Sequence, residues 1–353
     1  MFKNPRVILF SVLVVAALIV AYLLADRQGW FASESTDQDT LSAIEQLTPE
    51  IASLSEQIRN APSNAGLFYS RGNAYYDFGN LKYAEADYAR AFELDSNNAT
   101  YVLGWSDCLF DMNEVSKAVE MLENYQLRIP GNPDIMFSLA VDYFLLPQPK
   151  YPQSIDLLNE ILKQDIQNAP AYFYKGLVFK EWGDTTKAIS SFQTCTEVDP
   201  DYYDAWLQLG LLYADKGDPL AVNYFDNAIA VSDSSREAEY AKAKYFQDKG
   251  NLAEAIEYYR QMVIKDPQDA DALYNLATIY FGVDSIVKAD RYFDMAIKQS
   301  PAKAYAHYGK GLCSMKLGHN KEAVAYFQQA ITLGVDEETE AECNELIRQI
   351  NGN

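Results

Sequence analysis

The apolar positions along the chain change their period three times, and each change marks a different element. Val7 to Ala25 is an uninterrupted run without a charge, 19 residues long. As a helix it spans about 28 Å, close to the hydrocarbon thickness of a bilayer. Residues 32–39 (ASESTDQD) are small, polar and acidic, and read as a flexible linker. Apolar residues then recur three and four apart, at Leu41, Ile44 and Leu47 and again at Ile51, Leu54 and Ile58. Thr48-Pro49 between the two stripes reads as a helix restart, a capping residue followed by proline at the first helical position. This amphipathic segment, 40–64, is expected to cover the open end of the helical region that begins at Ala65. The alternative is oligomerisation through residues 41–58 as a short coiled coil.

From Ala65 onward the pattern repeats with a period of 34, in eight copies: 65–98, 99–132, 133–168, 169–202, 203–235, 236–269, 270–303 and 304–337. The third copy has two extra residues near Pro147-Gln148-Pro149, and the fifth lacks one near Pro219. The eighth position is small in every copy: Gly72, Ser106, Ala140, Gly176, Gly210, Ala243, Ala277 and Gly311. So is the twentieth: Ala84, Ala118, Ser154, Ala188, Ala221, Ala255, Ala289 and Ala323. The twenty-fourth is large: Tyr88, Leu122, Leu158, Phe192, Phe225, Tyr259, Phe293 and Phe327. Small residues let two helices cross closely, and large ones fill the space left beside the crossing. Gly79, Gly183, Gly217, Gly250 and Gly318 fall in the turn between the helices, where a left-handed residue is easiest for glycine. Pro130, Pro200, Pro267 and Pro301 close a unit. Residues 338–353 continue a polar helix, with Leu346, Ile347 and Ile350 on one side, that reads as a C-terminal cap.

Trp206-x2-Leu209-Gly210-x2-Tyr213 with Ala221-x3-Phe225, and the run Gly176, Phe179, Ala188, Phe192, Pro200, resemble the tetratricopeptide repeat. The resemblance covers residues 65–337. It implies an all-α, right-handed α-solenoid of eight helix-turn-helix repeats with a concave groove and a C-terminal capping helix behind it, and the apolar run 7–25 adds one N-terminal transmembrane helix in front. In that family the groove is lined by the second, fifth, ninth and twelfth or thirteenth residues of each first helix. Carried onto this chain, the groove residues are Tyr69, Asn73, Tyr76 and Asp77, then Asp107, Phe110 and Asp111. They continue as Phe137, Val141 and Phe144, Phe173 and Leu177, Tyr240 and Tyr274. The groove is thus expected to begin acidic and aromatic and to become apolar, a lining suited to a basic or amphipathic helix or peptide. The family's carboxylate clamp is not expected. Its places in the first three repeats hold Tyr69, Asn73, Gly104, Asp134 and Ser138, of which only Asn73 fits, and the positive charge is missing.

Charge narrows the partners. The net charge is −21, from 29 Lys and Arg against 50 Asp and Glu. Lys3, Arg6 and Arg27 outnumber Asp26 before residue 32, so the remainder is more acidic still. Such a surface repels phosphate backbones, and no nucleic-acid partner is expected. Lys3 and Arg6 ahead of the apolar run direct the N-terminus to the cytoplasm and the repeats to the far side, which is periplasmic in a bacterium. The alternative is a cleaved signal peptide and a soluble periplasmic or secreted domain. Leu23 is a poor match for the first small residue of a cleavage site ending at Ala25.

Chemistry is sparse. Cys108, Cys195, Cys313 and Cys343 form no CxxC pair and read as free, packed thiols. His307 reads as a packing residue and His319 as a solvent-facing turn residue, so no metal site and no cofactor are expected. The chain lacks a phosphate-binding G-x-x-x-x-G-K-[ST] loop, a G-x-S-x-G elbow and an H-E-x-x-H helix. Asn98-Ala99-Thr100 forms a glycosylation sequon. Residues 1–31 as an anchor followed by a binding scaffold imply a non-enzymatic adaptor for a membrane or envelope complex. The alternatives are an accessory arm of an enzyme complex, such as a glycosyltransferase, and an organelle import receptor.

Overall fold

A computed structural model describes residues 49–232 and 235–352. The apolar run 7–25 and the stripe at Leu41, Ile44 and Leu47 lie outside the described residues. No helix among the described residues is long and apolar enough to cross a membrane.

The described residues form eighteen helices: α1 (Pro49–Asn60), α2 (Ala65–Asp77), α3 (Leu81–Leu94), α4 (Ala99–Asp111), α5 (Val115–Arg128), α6 (Pro133–Leu145), α7 (Tyr151–Gln164), α8 (Ala169–Glu181), α9 (Thr185–Val198), α10 (Tyr203–Asp215), α11 (Leu220–Val231), α12 (Arg236–Asp248), α13 (Leu252–Lys265), α14 (Ala270–Gly282), α15 (Ile286–Gln299), α16 (Ala304–Lys316), α17 (Asn320–Leu333) and α18 (Glu337–Gly352). The chain divides into two compact units between Gln153 and Ser154, just inside α7. In the first unit α1 packs on α2, α2 on α3, α3 on α4, α4 on α5 and α5 on α6, and the first helices α4 and α6 also touch. In the second unit each helix from α8 to α18 packs on the next.

The crossings follow from residue size. Every large residue of the twenty-fourth column is at most 3% exposed, and every residue of the twentieth column is sealed. A methyl group placed on Gly176 would stand 2.5 Å from the ring of Phe192, and one on Gly210 would stand 2.5 Å from Phe225. On Gly311 it would meet Phe327 at 2.6 Å. The small position is therefore the space that the aromatic occupies.

Side-chain capping begins several first helices. Asn64, Asn98, Asn132, Asn168 and Asp269 each accept a hydrogen bond from a backbone N–H within the first turn of α2, α4, α6, α8 and α14. The Asn98 of the sequon is one of these caps, its oxygen 3.0 Å from the Thr100 nitrogen.

The five turn glycines all have positive φ, from +67° to +88°. At the same turn the second and seventh repeats use Asn113 (φ +61°) and Asp284 (φ +56°), which the glycine pattern missed. Both residue types tolerate the left-handed region better than other side chains do. Asn113→Gly is accordingly expected to stabilise the protein by about 0.5 kcal/mol, and Gly183→Ala to cost about 1 kcal/mol. Chemical denaturation of the two variants beside the wild type checks both signs.

At the N-terminal end, Ile51 is 1% exposed and joins Tyr75, Ala84, Tyr88 and Cys108 in one core cluster. Ser55 accepts a hydrogen bond from Arg71 at 3.0 Å, so α1 is fastened to α2 by polar as well as apolar contact. At the other end, α18 buries Cys343 against α17, and Leu346, Ile347 and Ile350 pack on that cluster. All four cysteines are free and buried, and burial pushes the Cys108 thiol up to about 11 and the Cys195 thiol up to about 12. His307 is buried, with Nε2 2.9 Å from the Pro301 carbonyl, the bond that Trp206 makes to Pro200 at 2.7 Å. His319 is exposed at the start of α17.

Candidate functional site

The fifth-position aromatics serve the fold as well as the surface. Tyr69, Phe173, Tyr240 and Tyr274 are half-buried, and each leans on the large residue of its own repeat. The ring centroids lie 5.6 Å apart for Tyr69 and Tyr88, 5.6 Å for Phe173 and Phe192, 5.9 Å for Tyr240 and Tyr259, and 6.0 Å for Tyr274 and Phe293. Tyr69 also meets Tyr101 in the repeat that follows, and Phe173 meets Tyr202 at the end of its own repeat. Asn73 accepts a hydrogen bond from the Tyr88 hydroxyl at 2.8 Å. Phe137, Val141, Phe144 and Leu177 are half-buried as well. These residues present an edge to solvent and keep the rest between helices.

The open part of the inner face lies on α2 and α4. Asp77, Asp107 and Asp111 are exposed, and Phe110 is 40% exposed. Asp107, Phe110 and Asp111 share one side of α4 because they are three and four residues apart. Tyr76 of α2 donates its hydroxyl to Asp111, and that bond, with burial and the neighbouring carboxylates, pushes the phenol up to about 12. Asp107 is open by surface area, yet the protein packed around it raises its carboxyl above the usual range, and Asp111 adds to the effect. Asp77, Tyr76, Asp107, Phe110 and Asp111 thus form an acidic and aromatic surface within the first unit.

Sequence reasoning missed two neighbours of these faces. Asp142, on α6, is 5% exposed and faces Ser106 of α4, whose hydroxyl donates to Oδ2 at 3.3 Å. Burial pushes this carboxyl up to about 7, with Asp107 adding to the rise. The only signal was a carboxylate set between Val141 and Tyr143 in a strongly apolar helix. In the second unit, a cavity of about 660 Å³ opens between α10 and α12, lined by Leu211, Ala214, Tyr240, Lys244 and Tyr245 over Phe225. The twelfth position is Ala214 there, where the first three repeats have Tyr76, Phe110 and Phe144, and the smaller side chain leaves the space.

Cations at the seventh position are used internally. Arg71 holds Asp87 through two bonds of 2.7 and 2.8 Å, Lys175 holds Asn159 at 2.8 Å, and Lys242 holds Asp226 at 2.5 Å. Lys310 lies 2.8 Å from both Asp290 and Asp294. Along one edge of the second unit, Arg236 bridges Asp269 and Asp271, and Lys303 pairs with Asp271 at 2.6 Å. Among the described residues, no group of three or more His, Cys, Asp or Glu is arranged to hold a metal ion.

Comparison with known proteins agrees with this architecture. Tetratricopeptide-repeat models match residues 65–98 and 169–202, 219–270 and 240–282, and 304–334. The chain is 25% identical over 131 residues to the Transcription factor tau 131 kDa subunit of Saccharomyces cerevisiae, a match spanning 37% of this chain and 13% of that protein. It is 28% identical over 160 residues to the BBSome complex member bbs-4 of Caenorhabditis elegans, spanning 44% of this chain and 35% of that protein. The chain thus spans about a third or less of the length of these two relatives. The C-terminal part of a repeat protein from Cytophaga hutchinsonii superposes with a TM-score of 0.57 at 18% identity, covering 67% of this chain and 97% of that one, a likeness of fold. The 34-residue period, the small-against-large crossing within its hairpins and the family models agree that residues 65–98, 169–202, 219–282 and 304–334 are repeats of the tetratricopeptide type.

Proposed function

We propose that the protein is a non-enzymatic adaptor that holds a partner protein or peptide on the inner face of its first helices. Residues 7–25 anchor it in a membrane with the N-terminus cytoplasmic and the repeats on the far side. Its role is assembly or organisation of a membrane or envelope complex. The observation that carries the reading is the open acidic and aromatic surface of Asp77, Asp107, Phe110 and Asp111. A basic, amphipathic segment complements it: the carboxylates speed and orient the encounter, and the aromatic contact supplies affinity.

Affinity capture from detergent extracts tests the binding. A stoichiometric partner is expected with the wild type, and Phe110→Ala is expected to weaken its retention by about 1–3 kcal/mol without lowering the melting temperature. Undiminished capture by Phe110→Ala, Asp107→Asn and Asp111→Asn would place the partner on another surface. Mass spectrometry of the mature N-terminus tests the anchor, which a soluble chain beginning near Asp26 would falsify. Turnover by residues 40–353, abolished by one substitution, would show the protein to be an enzyme.

A further inference from the structure

We propose that Asp142, with Asp107 beside it, is the seat for a single Lys or Arg side chain of the partner held by the inner face of the first unit. This rests on the adaptor reading and assigns to a second helix, α6, the anchoring step of that binding.

Asp142 is 5% exposed, so nearly all of its hydration is gone. In return it receives one hydrogen bond, from Ser106 at 3.3 Å to Oδ2. Its other carboxylate oxygen meets no hydrogen-bond or ion-pair partner among the described residues and is not sealed, so it keeps a narrow opening to solvent through which a side chain can reach it. An ionised carboxylate removed from water is costly unless a cation or several donors replace the lost hydration. The elements packed around it supply no cation. On α4 the facing charged group is Asp107, which itself feels Asp111 one turn on. On α5, Glu123 is already engaged by the Tyr143 hydroxyl at 2.7 Å and by Lys150 at 3.0 Å, so Lys150 is spent there. Lys175, Lys180, Lys242, Lys303 and Lys310, the buried or half-buried lysines of the second unit, all have a polar partner from their own unit, in contrast to the acid at Asp142, which has no cation.

The missing complement is a cation on a flexible apolar stem. Lys and Arg have that form, and their stems pack on apolar surface such as Phe110 and Val141 while the head reaches the charge. A bare divalent ion is a poorer fit, because the described residues hold no group of three metal-ligating side chains. Phosphate is repelled by all three carboxylates. An ammonium or guanidinium between Asp142 and Asp107 lies beside two like charges at once and relieves their mutual repulsion.

The test uses the full repeat domain and two synthetic amphipathic peptides of about 18 residues. One carries Lys and Arg on its polar face, and in the other Gln replaces them. Fluorescence anisotropy at about 0.15 M salt limits the contribution of diffuse surface charge. The cationic peptide is expected to bind the wild type and to lose about tenfold or more in affinity to Asp142→Asn. Glu120→Gln removes the same charge from the exposed face of α5 and is expected to change affinity less than about twofold. Equal losses in both variants would reduce the effect to diffuse charge and overturn the anchor. A loss in Phe110→Ala without a loss in Asp142→Asn would overturn the anchor and leave the adaptor surface standing. Absence of binding to the wild type would overturn the anchor, and capture of a natural partner would then judge the adaptor reading by itself.

Discussion

Phe192→Ala is expected to destabilise the second unit by about 3–5 kcal/mol, whereas Phe173→Ala, one contact away, is expected to cost about 1–2 kcal/mol. Phe192 has no exposed surface and fills the space above Gly176. Removing its ring leaves a cavity between α8 and α9 that the backbone cannot close, because Gly176 has no side chain to move into it. Phe173 packs on Phe192 and on Tyr202, with centroids 5.6 and 5.0 Å apart, and it keeps one edge in solvent. Its loss removes contacts without a sealed void. Thermal and urea unfolding of the two variants checks the ranking. Equal losses would make the fifth-position ring a full member of the inter-repeat core. Because each repeat mainly contacts its neighbours, the damage is also expected to stay local. Hydrogen exchange in Phe192→Ala should rise first in α8, α9 and α10.

Asp142→Asn is expected to raise stability at neutral pH and to flatten its pH dependence. Burial pushes the Asp142 carboxyl from 3.8 up to about 7. Between those values the folded chain binds more protons at this site than the unfolded chain does. The contribution of the site to stability is therefore greatest below about pH 4 and is lost as the pH rises through about 7. A change of this size corresponds to a loss on the order of 4 kcal/mol at most, since one pKa unit is about 1.4 kcal/mol. The variant is expected to exceed the wild type by roughly 1–4 kcal/mol at pH 8 and to match it near pH 4. Unfolding curves of both proteins from pH 4 to 8 at fixed ionic strength isolate the effect, because carboxylates that both share cancel in the difference. A variant less stable at every pH would show that the ionised carboxylate is satisfied within the fold. A residue that costs stability in the free protein and gains a counter-charge in a complex is the arrangement expected at a binding site.

Much of the repeat architecture was legible in the sequence because it depends on short-range geometry. The eighth and twentieth columns must be small and the twenty-fourth large wherever two helices of one hairpin cross, so the constraint recurs every 34 residues and can be read as a column. The buried series from Tyr88 to Phe327 follows that rule, and so do the glycines at the turns. The rule failed at Asn113 and Asp284 because the turn needs a positive φ, a demand on backbone shape that more than one residue type meets.

The surface residues were legible only in part. Spacing along one helix placed Asp107, Phe110 and Asp111 on one side of α4. It left open how far Tyr69, Phe173, Tyr240 and Tyr274 were covered, because that depends on the neighbouring side chains. Arg71, Lys242 and Lys310 are engaged by Asp87, Asp226, Asp290 and Asp294, pairings between helices that spacing along one helix does not reveal.

By itself, then, the sequence determined the repeat, its length, the crossing residues and the acidic character of the face on α2 and α4. These are properties of single helices and hairpins, set by periodicity and side-chain size. Tertiary structure alone decided that Asp142 stands buried against Ser106 and that Ala214 leaves a cavity between α10 and α12. Both depend on contacts between residues some thirty positions apart, one repeat to the next. The cost of burying a charge or the size of a gap is set by what the neighbouring helix presents there, and no periodicity along one stretch of sequence encodes it.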